Sequence, residues 1–206
     1  FEIIRGGENL GRVCLQMIGQ HNILNGLASV AMADELQVPF EAIQEALENF
    51  EGIQRRFTVR GKVGDVTVVD DYGHHPEEIK TTLDGARKAF DSRIIVVFQP
   101  HRYTRTRDLA QQFHAAFNQA DAVVVMDIYA AGEDPIEGIS ARGLFEGIRS
   151  KGHRNAHFIS DRQNVVGWLM EQAEPGDLVI TMGAGDVWRA GEEYLVRKRR
   201  TANGGG

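Results

Sequence analysis

Arg93-Ile94-Ile95-Val96-Val97-Phe98-Gln99-Pro100 decides the fold of this 206-residue chain. Its five consecutive apolar residues leave no polar face, so the strand they form is buried on both sides. Strands of that kind belong to parallel sheets covered by helices. Downstream, Ala122–Ile128, His157–Ser160 and Asp177–Met182 read as further strands. Helical spacing covers Thr106–Asn118, Ala141–Lys151, Gln163–Ala173 and Val187–Arg199 between and after them. Upstream, a helix opening at Pro76 lines up Ile79, Leu83, Ala86 and Phe90. Before it, Arg56–Val63 and Asp65–Val69 make a hairpin around Gly64-Asp65. The alternation predicts an α/β fold with a doubly wound, mostly parallel sheet.

The first fifty residues break that pattern. Two short strands, Phe1–Arg5 and Gly11–Ile18, precede a helix with Ile23, Leu24, Leu27, Ala28 and Ala31 on one stripe. A second helix starts at Pro39, with Phe40, Ile43, Leu47 and Phe50 aligned, and ends at Gly52. A domain boundary is expected near residue 54. The chain opens on Phe1-Glu2 without Met, which reads as a fragment beginning inside a domain; residues 201–206 carry nothing to pack and read as a disordered tail.

Composition narrows the function. A net charge of −6 disfavours nucleic acid, which needs a basic face. The basic run Arg197–Arg200 suits the carboxyl end of a helix. No apolar run reaches the length of a membrane span. The single cysteine, Cys14, excludes a disulfide framework and reads as a small apolar filler in a strand.

Chemistry concentrates at two corners. Asp70-Asp71-Tyr72-Gly73-His74-His75-Pro76 puts two carboxylates, a phenol and two imidazoles between a strand and a helix. Open α/β sheets bind ligands at such places, outside the carboxyl ends of their strands. Gln99-Pro100-His101-Arg102-Tyr103-Thr104-Arg105-Thr106-Arg107 leaves the next strand, so both corners should share one rim. Arg102 and Arg105 are three apart and can converge on a carboxylate or phosphate. The bland alternative, a solvated surface, is weakened because cations at a helix start oppose its dipole.

A third cluster is His21-Asn22-Ile23-Leu24-Asn25. Asn22 reads either as an N-cap or, with Asn25, as a pair of amides that hydrogen-bond a purine edge. Adjacent Arg55 and Arg56 are weak evidence alone. Gly61-Lys62 lacks the rest of a Walker loop and reads as a hairpin turn. Gly183-Ala184-Gly185-Asp186 follows a strand and precedes a helix like a dinucleotide fingerprint, but it lacks the third glycine and reads at least as well as a tight structural turn. His114, His153 and His157 have no metal-ligand spacing.

Taken together, Gly19–Asn25, Arg55-Arg56-Phe57, Asp70–Pro76, Phe98–Thr106 and Gly183–Asp186, in that order, resemble the Mur ligases, ATP-dependent amide-forming enzymes of bacterial cell-wall synthesis. The Phe98–Thr106 segment is most similar to the alanine-adding members. The resemblance covers the chain up to its tail. It implies that residues 1–54 are a small α+β remnant of a central P-loop ATPase domain and residues 55–200 a Rossmann-like ligase domain. The family's Walker lysine and magnesium ligands would lie upstream, so Mg2+ has no ligand here.

The resemblance further implies that Asn22, Asn25, Arg56 and Asp71 bind ATP, with Asn25 at the adenine and Asp71 at the ribose. Tyr72 and His74 would face nucleotide and amino acid, and His75 would cap a helix. Arg102 and Arg105, supported by His101, would hold the carboxylate of L-alanine, with His74, Arg102 and Arg105 as the catalytic set. The implied partners are ATP, L-alanine and UDP-N-acetylmuramate, without nucleic acid or membrane, in the cytoplasm. A homo-oligomer is compatible with an apolar surface on residues 1–54. Rival readings are a sister ligase that recycles a cell-wall tripeptide, and a non-catalytic nucleotide- or anion-binding module.

Overall fold

The computed structural model describes residues 1–50 and 52–203. They form two compact units, Phe1–Gln54 and Arg55–Gly206, each with its own core.

In the first unit, β1 (Glu2–Arg5) and β2 (Glu8–Arg12) pair antiparallel, followed by α1 (Gln20–Glu35) and α2 (Phe40–Glu48). Ile3, Val13, Val30 and Ile43 are its buried centre. Three expectations fail here. The second strand ends at Arg12, before the expected Gly11–Ile18 run is under way. Cys14 therefore lies beyond the strand and is exposed, not a filler. On α1 the buried residues are Gly26 and Val30, whereas Ile23, Leu24 and Leu27 are exposed. The helix has apolar residues on more than one face, and Phe1 and Leu15 pack against the side where Gly26 stands.

The second unit opens with the hairpin β3 (Thr58–Val63) and β4 (Val66–Asp71). Gly64 and Asp65 both have positive φ, as the two central residues of a type I′ turn require. Then come α3 (Pro76–Ala89), β5 (Ile94–Phe98), α4 (Tyr103–Asp108), α5 (Ala110–His114), β6 (Ala122–Val125), α6 (Ala141–Ser150), β7 (Ala156–Phe158), α7 (Arg162–Gln172), β8 (Leu178–Met182) and α8 (Trp188–Asn203). The sheet order is β3-β4-β8-β5-β6-β7, and every pair is parallel except β3 with β4.

The doubly wound, mostly parallel sheet expected from the apolar runs is present. On β5, Ile94, Val96 and Phe98 face a core shared with α3, α5 and α6, while Ile95 and Val97 face one shared with α7 and α8. All five are fully buried, and each such side chain contributes about 1.5–3 kcal/mol. Register aligns the rim: Asp71 of β4 and Phe98 of β5 both pair with Met182 of β8, and Phe98 also pairs with Val125 of β6. The two polar corners therefore leave the sheet at one level.

Some boundaries move. The helix expected over Thr106–Asn118 starts earlier and is broken in two at Leu109, whose φ of −112° and ψ of 15° leave the α region. Residues 201–203, expected in a disordered tail, continue α8. The Thr201 hydroxyl donates to main-chain carbonyls of Arg197 and Lys198. Residues 204–206 lie outside the described residues.

Candidate functional site

The β4–α3 corner is built around two buried carboxylates with different partners. Asp70 is 1% exposed; it accepts from Arg55 Nε at 2.8 Å and from the Thr181 hydroxyl at 2.9 Å. Arg55 also donates to the Gly183 carbonyl at 2.6 Å, so this pair ties β4 to the end of β8. Asp71 is turned the other way and accepts from the main-chain N–H groups of Phe57 at 2.9 Å and Gly73 at 2.7 Å. Burial pushes its carboxyl above the usual range, against the lowering effect of those two N–H donors and of Arg56.

From there the chain enters α3 through a capping box. His75 is the N-cap and accepts from the Glu77 N–H through Nδ1, while Glu78 accepts from the N–H groups of His74 and His75. Pro76 stands at the first helical position, where its missing N–H costs nothing. Burial disfavours the Glu78 carboxylate, yet the two N–H donors, His74 and Arg56 outweigh it and hold its carboxyl below the ordinary range. Tyr72 stays half open, with the Arg55 guanidinium 5.0 Å and that of Arg56 5.9 Å from its ring centre.

His74 Nδ1 lies 2.9 Å from the Tyr72 carbonyl oxygen. A carbonyl only accepts, so Nδ1 carries a proton, and in the neutral ring the lone pair is then on Nε2. The opposite holds at His101, where Arg105 Nη1 donates to Nδ1 at 3.2 Å and to the His101 carbonyl at 3.2 Å. A guanidinium only donates, so the proton of neutral His101 is on Nε2. Burial, then Arg105, His74 and Arg102, hold the His101 imidazole below its ordinary value.

At the second corner Arg107 pairs with Asp108 at 2.7 Å, whereas Arg102 and Arg105 have no such partner. Among the described residues neither Arg102 nor Arg105 forms a salt bridge, and Arg102 is exposed. Arg102 has a φ of +74°, a strained value for a side chain of its size. It is pinned there by its N–H on the Tyr129 carbonyl at 2.9 Å and its carbonyl under the Thr106 hydroxyl at 2.8 Å. Glu133 accepts from the Thr104 hydroxyl and N–H, which with help from the Arg102 charge hold its carboxyl below the ordinary range, but it forms no salt bridge with Arg102. Two guanidinium groups without counter-ions on one rim are a ready site for an anion.

Rings connect the two corners. Tyr72 meets His74 edge to face at 5.2 Å, His74 lies 5.8 Å from His101, and His101 stacks on Tyr129 at 5.6 Å and 10°. Tyr129 and Gln99 were missed by sequence reasoning. Gln99 bonds reciprocally with Asp186: its amide donates to the Asp186 carboxylate, and its carbonyl accepts from the Asp186 N–H, each at 3.0 Å. A Cβ on Gly185 would sit 2.4 Å from Gln99 Oε1 and 2.8 Å from the Tyr129 ring. The Gly183–Asp186 loop thus packs closely against Gln99 and Tyr129 of this rim. The one available signal for Tyr129 was position: it follows β6 just as His101 follows β5.

Of the predicted residues, Tyr72, His74, His101, Arg102 and Arg105 come together on the rim. Arg56 stands beside them, 45% exposed and 3.4 Å from Glu78. Asn22 and Asn25 belong to the first unit. Asn22 is not an N-cap; its amide donates to the Ile18 carbonyl at 2.7 Å, and Gly19 holds the cap position. The Asn25 side chain is exposed on α1. Among the described residues no three His, Cys, Asp or Glu side chains gather as metal ligands, and no helix is long and apolar enough to cross a membrane.

Comparison with known proteins identifies the family. The family model described as "Mur ligase, glutamate ligase domain" matches residues 55–185. A UDP-N-acetylmuramate–L-alanine ligase from Anaeromyxobacter dehalogenans is 54% identical over 200 residues, covering 97% of this chain and 43% of that protein. The crystal structure of a UDP-N-acetylmuramate–alanine ligase from Thermotoga maritima superposes with a TM-score of 0.82 at 28% identity, over 96% of this chain and 42% of that one. A murein peptide ligase from Psychrobacter arcticus gives a TM-score of 0.66 at 26% identity, over 90% and 38% of the two chains. The chain therefore spans less than half the length of the curated relatives it matches.

Proposed function

Since the chain belongs to the Mur ligase family, we propose that it is the C-terminal portion of a cytoplasmic ATP-dependent ligase joining L-alanine to UDP-N-acetylmuramate. The observation that carries this reading is the Arg102/Arg105 pair, two guanidinium groups without salt-bridge partners beside His101, which Arg105 contacts at 3.2 Å. They would take the carboxylate of the incoming amino acid in bidentate fashion.

In the proposed reaction a carboxylate oxygen of the muramate attacks the γ-phosphorus of ATP, giving an acyl phosphate and ADP. The amine of alanine then attacks the acyl carbon, and the tetrahedral adduct expels phosphate. The amine must lose a proton to become a nucleophile. His74, with Nδ1 held by the Tyr72 carbonyl, offers the Nε2 lone pair for that proton. Arg102 and Arg105 fix the amino acid so that its nitrogen meets the acyl carbon, an advantage of orientation rather than of new chemistry. Tyr72 completes the amino-acid side of the rim.

For ATP we propose a contact from Asn25 at the adenine, with Asn22 and Arg56 as further ATP-binding residues. The exposed Asn25 amide fits such a contact. Asp71 fits less well at the ribose, because both its oxygens already accept main-chain N–H groups. Its main service is to hold the Tyr72–His74 turn. Mg2+ would be held by residues outside this chain, as would the phosphate loop, so residues 1–54 are proposed as the end of an ATP-binding domain. The exposed apolar residues of α1 support that assignment.

The test is product formation. The full-length ligase containing this chain should release ADP over many turnovers only when UDP-N-acetylmuramate and L-alanine are both present, and the 206-residue chain alone should release none. ADP release that requires a tripeptide instead of alanine would favour the peptide-recycling reading.

A further inference from the structure

Tyr129 lies outside every motif of the site, yet it touches the proposed alanine grip in two ways. Its carbonyl accepts the Arg102 N–H at 2.9 Å, and its own N–H donates to the Pro100 carbonyl at 2.8 Å. His101 and Tyr129 thereby form an isolated parallel bridge, which extends the β5–β6 pairing beyond both strands. Its ring lies flat on the His101 imidazole, at 5.6 Å and 10°. His101 in turn receives Arg105 through both its ring and its carbonyl. The Gly185 backbone also comes close to the Tyr129 ring, since a Cβ there would lie 2.8 Å from it, and the Gln99–Asp186 pair holds that loop in place.

We propose that Tyr129 is a positioning residue for amino-acid binding: its ring fixes the His101 imidazole, and through it the Arg105 guanidinium, in the orientation that grips a carboxylate. The proposal rests on the ligase reading above. It explains why a half-open tyrosine is stacked rather than free in solvent. The Tyr129 hydroxyl makes no hydrogen bond among the described residues, so the ring alone carries the effect, and phenylalanine should replace it. The main-chain clamp on Arg102 does not depend on the side chain. Removing the ring therefore releases His101 and Arg105 while leaving Arg102 in place.

Two measurements test this, both on Tyr129→Phe and Tyr129→Ala. In the full-length ligase, Tyr129→Ala should raise KM for L-alanine about tenfold with KM for ATP unchanged, and Tyr129→Phe should restore the native value. In the 206-residue chain, the NMR titration midpoint of His101 should move upward in Tyr129→Ala and stay put in Tyr129→Phe. Water then reaches a ring otherwise faced by Arg105, Arg102, His74, Glu133 and Tyr129. An unchanged alanine KM in Tyr129→Ala, or equal changes in both KM values, overturns the proposal. If Arg102→Ala and Arg105→Ala also leave the alanine KM unchanged, the ligase reading itself fails; if they raise it, only the role of Tyr129 is lost.

Discussion

Arg55, 23% exposed, forms an ion pair with the buried Asp70, Nε to Oδ2 at 2.8 Å, at the point where β4 meets the loop after β8. The next arginine, Arg56, pairs with Glu78 at 3.4 Å on the surface. Arg55→Ala would leave the Asp70 charge buried without its partner, which costs about 3 kcal/mol or more. Arg56→Ala should cost less than about 1 kcal/mol, because exposed pairs contribute little. Urea unfolding followed by the fluorescence of Trp168 and Trp188, both in the second unit, reads the difference. Equal losses for the two variants would contradict this account.

Stability should fall as pH drops below about 6.5. Burial, chiefly, holds the imidazoles of His101, His114 and His157 below their ordinary value, helped by nearby cations. The unfolded chain then binds more protons than the folded one in this window, so acid favours unfolding. The stabilisation is present above the unfolded histidine value and is lost as pH falls through the folded values. The urea midpoint should be lower at pH 5.5 than at pH 7.5, and His101→Gln should reduce that difference. A midpoint independent of pH across this range would refute the prediction.

Gly183 has a φ of +146°, and a Cβ there would lie 2.7 Å from the Gln99 carbonyl oxygen. Neither a backbone of that kind nor a rigid carbonyl yields easily. Gly183→Ala should therefore destabilise the second unit by about 1–3 kcal/mol. Gly185→Ala meets side chains, Gln99 and Tyr129, which can move. It should cost less stability and instead disturb the stack on His101, read as an upward shift of the His101 titration. Loss of stability with no change at His101 would argue against the backing role of this loop.

How much was legible in the sequence follows from what each residue type signals. Runs such as Ile94–Phe98 announce their burial on both faces, so the sheet could be foreseen. The Asp70–Pro76 and Gln99–Arg107 corners were visible because charge and imidazole cluster where a strand ends. The partner of each arginine was not visible: nothing local separates Arg55, paired with the buried Asp70, from Arg56 on the surface. Tyr129 and Gln99 act through neighbours from other strands, and only the register of β5, β6 and β8 brings them together. The α1 stripe misled because Ile23, Leu24 and Leu27 have the right spacing for a core that this unit does not supply. The break at Leu109 has no glycine or proline to mark it.

The most direct test of the central claim is the alanine KM of the full-length ligase carrying Arg102→Ala or Arg105→Ala. Each charge-assisted bond contributes about 1.5–3 kcal/mol, so each variant should raise that KM roughly tenfold to a hundredfold. The KM for ATP should stay at its native value. An unchanged alanine KM in both variants would contradict the assignment of this rim as the amino-acid site.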